Sequence, residues 1–364
     1  KTCDFVIINI SHFIIELCYF ILVSSFGFLI LKTLNPKSIH NNNNNNNNNI
    51  NPIKDLDLFF TSISATTVSS MSTLEMEVFS NSQLIVLTIL MFIGGEVFTS
   101  MIGLHFSASK LVYKPLKSRS RVNSVASLTL PCEPIELGLI VVTPQENNTS
   151  TTMQKTKSEI DFFIKSKSIR VLGFLVLLYL FTIHILGISM VILYLNITPN
   201  AINVLHKKGI ETLTFSIFTI VSTFASCGFI PTNENMRVFS KNSGFLLILI
   251  PQILLGNTLF PSFLRFSIWV LEKFAKKDEA RYLLRNAKEI GYHHLLPSKH
   301  SRLLIMTVLG FIMVQLVMFC AMEWGNEGIN KGHNVYKKLV GILFQCVNSR
   351  HTGESIVDLS SIAP

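Results

Sequence analysis

Between residues 218 and 236, Ser222, Thr223, Ser226 and Cys227 crowd toward Gly228, and Pro231 and Glu234 follow at once. Small polar side chains around a glycine turn suit cation coordination. Glycine lets the chain leave helical geometry, and the carbonyls thereby exposed can replace an ion's water shell. The stretch lies between long apolar runs but is itself too short and too polar to cross a bilayer. Non-helical backbone at membrane depth is tolerated only where protein or a water-filled cavity surrounds it. The stretch therefore reads as a pore helix running into a selectivity-filter segment.

The pattern recurs. Setting Ser70 against Gly228 aligns Phe60 with Phe218, brings 78–80 close to 238–240, and puts Gly95 near Gly256. A third copy runs over 344–353. Each copy follows an apolar run, and another run follows the first two. An internal repeat of span, re-entrant loop and span is a stronger signal than any single loop.

Other chemistries lack their residues. A membrane enzyme needs paired acids, a nucleophile with a base, or a metal cluster. The ionisable groups in or beside the spans, His12, Glu16, Glu96, His105 and His184 among them, form no such constellation. Cys3, Cys18, Cys132, Cys227, Cys320 and Cys346 show no CxxC or Cys/His ligand spacing, so reduced thiols and no structural metal are expected. The sequence predicts neither an enzyme nor a cofactor.

Hydrophobic residues make up 49% of the chain and charged residues 15%, which places it among integral membrane proteins. The net charge of +9 could suggest a nucleic-acid partner. Lys and Arg instead collect within 110–170 and 265–302, as the positive-inside rule predicts for cytoplasmic loops. No nucleic acid is expected.

The expected fold is all-α: span, re-entrant pore loop and span, repeated in three units around an ion pore; the fourth unit expected is one that the resemblance given below implies. Residues 1–109 form the first unit, with a disordered Asn-rich outer loop at 41–49; 110–168 form a cytoplasmic linker. Residues 169–273 form the second unit, 274–302 a second cytoplasmic linker, and 303–364 a third unit cut after its pore loop. Spans are expected at 5–34, 83–104, 171–195, 245–271 and 303–322, and pore helices at 55–67, 209–226 and 336–349. Gly94 and Gly95 allow a bend or a close helix approach in the second span. Pro251, Gly256 and Pro261 should kink or break the fourth. Residues 280–290 can form one amphipathic helix.

The stretches Val68-Ser-Ser-Met-Ser-Thr73, Met76-Glu-Val-Phe-Ser80, Gly94-Gly-Glu-Val-Phe-Thr-Ser100, Phe229-Ile-Pro-Thr-Asn-Glu-Asn-Met236 and Asn348-Ser-Arg-His-Thr-Gly-Glu354 resemble the plant high-affinity potassium transporter (HKT) family of the wider Trk/Ktr/HKT group. The resemblance covers nearly the whole chain except the Asn run and the long linker. It implies four units around one pore, each giving one filter residue: here Ser70, Gly228 and Gly353, with the fourth absent from these residues. Serine at the first position marks the subfamily described as sodium-selective, whereas glycine there goes with potassium or mixed permeation. The resemblance therefore implies passive sodium uniport at the plasma membrane, which in plants is associated with removing sodium from the xylem. A potassium-permeable transporter of the same fold is the alternative, and a non-conducting truncated product stays open. The implied partners are the bilayer and monovalent cations, with a homodimer as a candidate assembly and the N-terminus cytoplasmic.

Around the filter, Ser69, Ser226, Cys227 and Thr352 flank the proposed ion ligands. Ser70 adds a Cβ and a hydroxyl where glycine would turn freely. At Ser226 an aspartate would put charge at the pore mouth, where this chain is neutral. Glu75, Glu77, Glu234 and Glu354 follow the filters and either form an acidic outer vestibule or pair with basic groups behind the loops. Asn235, Asn348 and Arg350 are assigned to bracing the loops, and His351 to scaffold rather than metal.

Overall fold

The computed structural model describes residues 2–37, 54–106, 148–324, 334–349 and 353–357; the Asn-rich loop, much of the first linker, Arg350, His351, Thr352 and 358–364 lie outside them. Among the described residues the chain is helical, with no β-strand. Its contacts divide it into two units. The first is formed by 1–99, 178–263 and 299–364, and the second by 100–177 and 264–298.

In the first unit, α1 (Thr2–Thr33) packs on α2 (Asp55–Thr66) and α3 (Asn81–Gly94), and α2 packs on α3. α3 touches α7 (Thr212–Ala225), α7 touches α8 (Ser243–Gly256), and α8 touches α13 (Val335–Asn348). These contacts run in series from α1 through α2, α3, α7 and α8 to α13. α2 is rich in hydroxyls yet buries Thr61, Ser62, Ser64 and Thr66. This is tolerable because Thr61 and Thr66 donate to the carbonyls of Asp57 and Ser62, and Ser62 donates to Ser24 O at 2.7 Å. α3 starts in a capping box between Ser80 and Gln83. The Gln83 amide also reaches Leu31 O and Leu34 O at 3.1 and 3.0 Å, fixing the end of α1 to the start of α3.

The remaining helices are α4 (Glu96–Phe106), α5 (Asn148–Ile197), α6 (Pro199–Lys207), α9 (Phe260–Ala275), α10 (Asp278–Arg285), α11 (Ala287–Ile290) and α12 (Ser298–Glu323). Among the described residues, Phe13–Thr33, Phe162–Ile197 and Ser298–Met322 are long and apolar enough to cross a membrane. The pairs α3–α4 and α8–α9 pass the same test together, bent by 51° and 83°. The chain is an integral membrane protein.

Several boundaries differ from expectation. α5 runs well upstream of 171, into the expected linker. The expected break in the fourth span falls at residues 257–259, between Gly256 and Pro261, while Pro251 lies inside α8. Expected as one helix, 280–290 is two, because Asn286 leaves helical geometry (φ −109°, ψ 35°). α6 was not foreseen; Pro199 in its first turn is the signal that could have marked it.

Candidate functional site: the loops after α2, α7 and α13

Ser70, Gly228 and Gly353 all have left-handed backbone, with φ of 57°, 74° and 75°. The first two loops also share the steps leading there. Val68 and Ser226 are left-handed at φ 55° and 64°. Ser69 N–H donates to Ser64 O at 3.0 Å, and Cys227 N–H to Ser222 O at 2.9 Å. These pairs correspond in the alignment that sets Ser70 against Gly228. A left-handed serine costs energy that a glycine does not, so Ser70 occupies a backbone shape that glycine would adopt without strain.

The glycines after the first two loops take part in the packing. A Cβ on Gly94 would stand 1.8 Å from Thr66 O, and one on Gly256 would stand 2.0 Å from Phe224 O. Thr66 and Phe224 are equivalent in the same alignment, so Gly94, not Gly95, is the counterpart of Gly256. Gly95 instead sits at the α3–α4 bend.

Around the first loop, the Ser64 hydroxyl accepts from Met71 N–H at 2.9 Å and lies 3.0 Å from that of Ser69. In the second loop the buried Cys227 thiol contacts the backbone of Ser70 and Phe229. Cys18, Cys227, Cys320 and Cys346 are free thiols. The side chain of Ser226 accepts from Asn257 Nδ2 at 2.9 Å. Asn257 belongs to the break between α8 and α9, so this bond joins the left-handed turn after α7 to that break. Both line a cleft with His184, whose Nδ1 contacts Leu180 O at 2.7 Å. The other ring nitrogen of His184 is buried and meets no partner among the described residues. Neither Asn257 nor His184 was singled out as a site residue from sequence, because an isolated polar residue in an apolar run carries no spacing signal.

The third loop is held from two sides. Glu354 is buried and accepts from Thr223 Oγ1 at 2.7 Å, with Asn348 Nδ2 at 3.5 Å. Ser355 N–H donates to Asn235 Oδ1 at 3.2 Å, and Ile356 N–H to Gln345 Oε1 at 3.0 Å. Asn235 itself has φ 58° and also accepts from Met236 N–H.

The four acids separate. Glu354 is 1% exposed and bonds behind its own loop, to Thr223 and Asn348. Glu77 and Glu234 both pair with Lys208, while Glu75 accepts from Asn233 Nδ2 at 2.5 Å. Asn233 N–H donates to Glu77 at 2.9 Å, and Lys37 donates to Lys208 O. Burial works against the charge on Lys208, but its hydrogen bonds to Glu234 and Glu77 outweigh that and raise its pKa above the ordinary lysine value. The bond from Lys208 in turn holds Glu234 below the usual carboxylate range. Lys208, not foreseen, thus joins the rims of the first two loops.

A family model described as TrkH, cation transport protein, matches residues 138–364. The chain is 49% identical to the sodium transporter HKT1 of Arabidopsis thaliana over 314 residues, covering 85% of this chain and 58% of the relative. It is 43% identical to the cation transporter HKT1;3 of Oryza sativa subsp. japonica over 354 residues, 96% of this chain and 63% of the relative. Against the high-affinity potassium transport protein of Saccharomyces cerevisiae it is 26% identical over 206 residues, 55% of this chain and 16% of that protein. The chain thus spans about three fifths of the length of the two plant relatives. Its family is one of transporters, not enzymes: the chain belongs to the TrkH family of cation transport proteins, on its plant HKT branch.

Proposed function

We propose that the chain forms most of a plasma-membrane pore that conducts sodium passively, with Ser70, Gly228, Gly353 and a fourth residue outside this sequence as the filter. Two span–loop–span units and the span and loop of a third contribute, and the carbonyls around these residues take the place of the ion's water shell. The observation that carries the reading is the shared left-handed backbone at Ser70, Gly228 and Gly353. It turns each loop out of helical geometry just beyond a helix end. The serine in this ring supports sodium, through its added hydroxyl and strained backbone. The name of the Arabidopsis relative points the same way. Potassium permeation is the second reading, supported by the glycines at 228 and 353 and by the name of the yeast relative.

The test is the reversal potential of oocytes expressing the full-length protein, in sodium and then potassium solutions, with Ser70 and with Ser70→Gly. A sodium-following potential that becomes potassium-sensitive in the variant is expected. Potassium selectivity with Ser70 intact would overturn the ion assignment, and an unchanged preference in the variant would remove Ser70 from the filter.

A further inference from the structure

The second unit carries a surface that the pore does not use. α9 buries Leu264 and Ile268 fully, while Phe266 (54% exposed), Trp269 (45%) and Phe274 (80%) stay open. Phe266, Trp269 and Lys273 recur at helical spacing on one face. The rings of Phe266 and Trp269 stack at 5.8 Å, and Lys273 Nζ lies 5.1 Å above the indole. Lys276 and Lys277 follow directly, and all three lysines are exposed. Among the described residues the nearby carboxylates already have partners. Arg281 bonds Glu272 at 3.3 Å and Asp278 at 3.5 Å, and Lys167 bonds Glu279 at 2.5 Å. Lys277 adds only a through-space attraction to Glu279.

Exposed apolar side chains are ordinary where lipid tails face a membrane protein, as along α12. Here aromatic rings adjoin a run of lysines, the composition of a helix end at the boundary between acyl chains and headgroups. The charge is complementary to phosphate, and a lysine drawn over an indole keeps its ammonium close to that boundary.

We propose that the C-terminal half of α9, with the two lysines that follow it, docks the anionic headgroups of the phospholipid leaflet it reaches. Phe266 and Trp269 sit at the acyl boundary, and Lys273, Lys276 and Lys277 meet the phosphates. The proposal rests on membrane embedding and is independent of which ion the pore passes.

The experiment is retention of short-chain phosphatidylserine against phosphatidylcholine by the purified full-length protein, read by native mass spectrometry. Preferential phosphatidylserine retention is expected, weakening by roughly five-fold per lysine neutralised at low salt in Lys273→Gln, Lys276→Gln and Lys277→Gln combined. The triple arginine variant should keep the preference. Equal elution volume and helical content in all forms would exclude misfolding. Equal retention of both lipids by the unmodified protein, or unchanged preference in the glutamine variant, would overturn the proposal. So would displacement of phosphatidylserine by an equal concentration of inorganic phosphate, which would reveal a simple anion site.

Discussion

The Ser70 hydroxyl faces Gly353: a Cβ built on that glycine would lie 3.8 Å from Ser70 Oγ. That separation is ordinary contact, not a clash. Gly353→Ala should therefore lose stability through its left-handed backbone, by about 1–2 kcal/mol, and not through crowding. Adding Ser70→Gly should leave that loss nearly unchanged. Thermal melts of the single and double variants of the full-length protein test this; strong non-additivity would mean that the hydroxyl and the new methyl collide.

Gly94→Ala and Gly256→Ala drive a methyl into backbone oxygens at 1.8 and 2.0 Å, which cannot rotate away. Each should cost roughly 3 kcal/mol and deplete protein at the membrane. Gly95→Ala meets nothing closer than 3.4 Å and should be tolerated. Surface labelling of the three variants separates the two classes. Equal loss at Gly95 would contradict the assignment of Gly94 as the close-packed glycine.

Lys208→Met should cost about 1 kcal/mol, and less in high salt. Because the pKa of Glu234 is lowered, its contribution is present above the ordinary carboxylate pKa and fades as pH falls through the lowered value. Lys208 is raised, so its contribution is complete below the ordinary lysine pKa and fades as pH rises through the folded value. The difference in melting temperature between native protein and variant should therefore stay flat between about pH 6 and 9. A change centred near neutrality would point to another titrating group.

Glu354→Ala removes the acceptor for a buried Thr223 hydroxyl. Leaving that donor unsatisfied should cost about 1–3 kcal/mol, whereas Glu354→Gln keeps one acceptor oxygen and should lose less. If both variants behaved as mild surface changes in a thermal melt, the carboxylate would not be bracing the loop.

The match between the first two loops was legible because their residue types repeat. The alignment of Ser70 with Gly228 also pairs Val68 with Ser226 and Ser64 with Ser222, and the backbone follows it. Glycine spacing was legible only approximately, since Gly94 and Gly95 are adjacent and only packing distinguishes them. The ion pairs of Lys208 were not legible. Its partners Glu77 and Glu234 lie far away in sequence, and one lysine after a short helix gives no hint of them. The burial of Glu354 was hidden similarly, because its partner Thr223 comes from another loop's helix.

One amide oxygen on Asn235 receives N–H groups from two different loops, through Met236 and Ser355. The second and third loops are therefore tied at a single atom: any variant that removes the Asn235 amide withdraws the acceptor from both N–H groups at once.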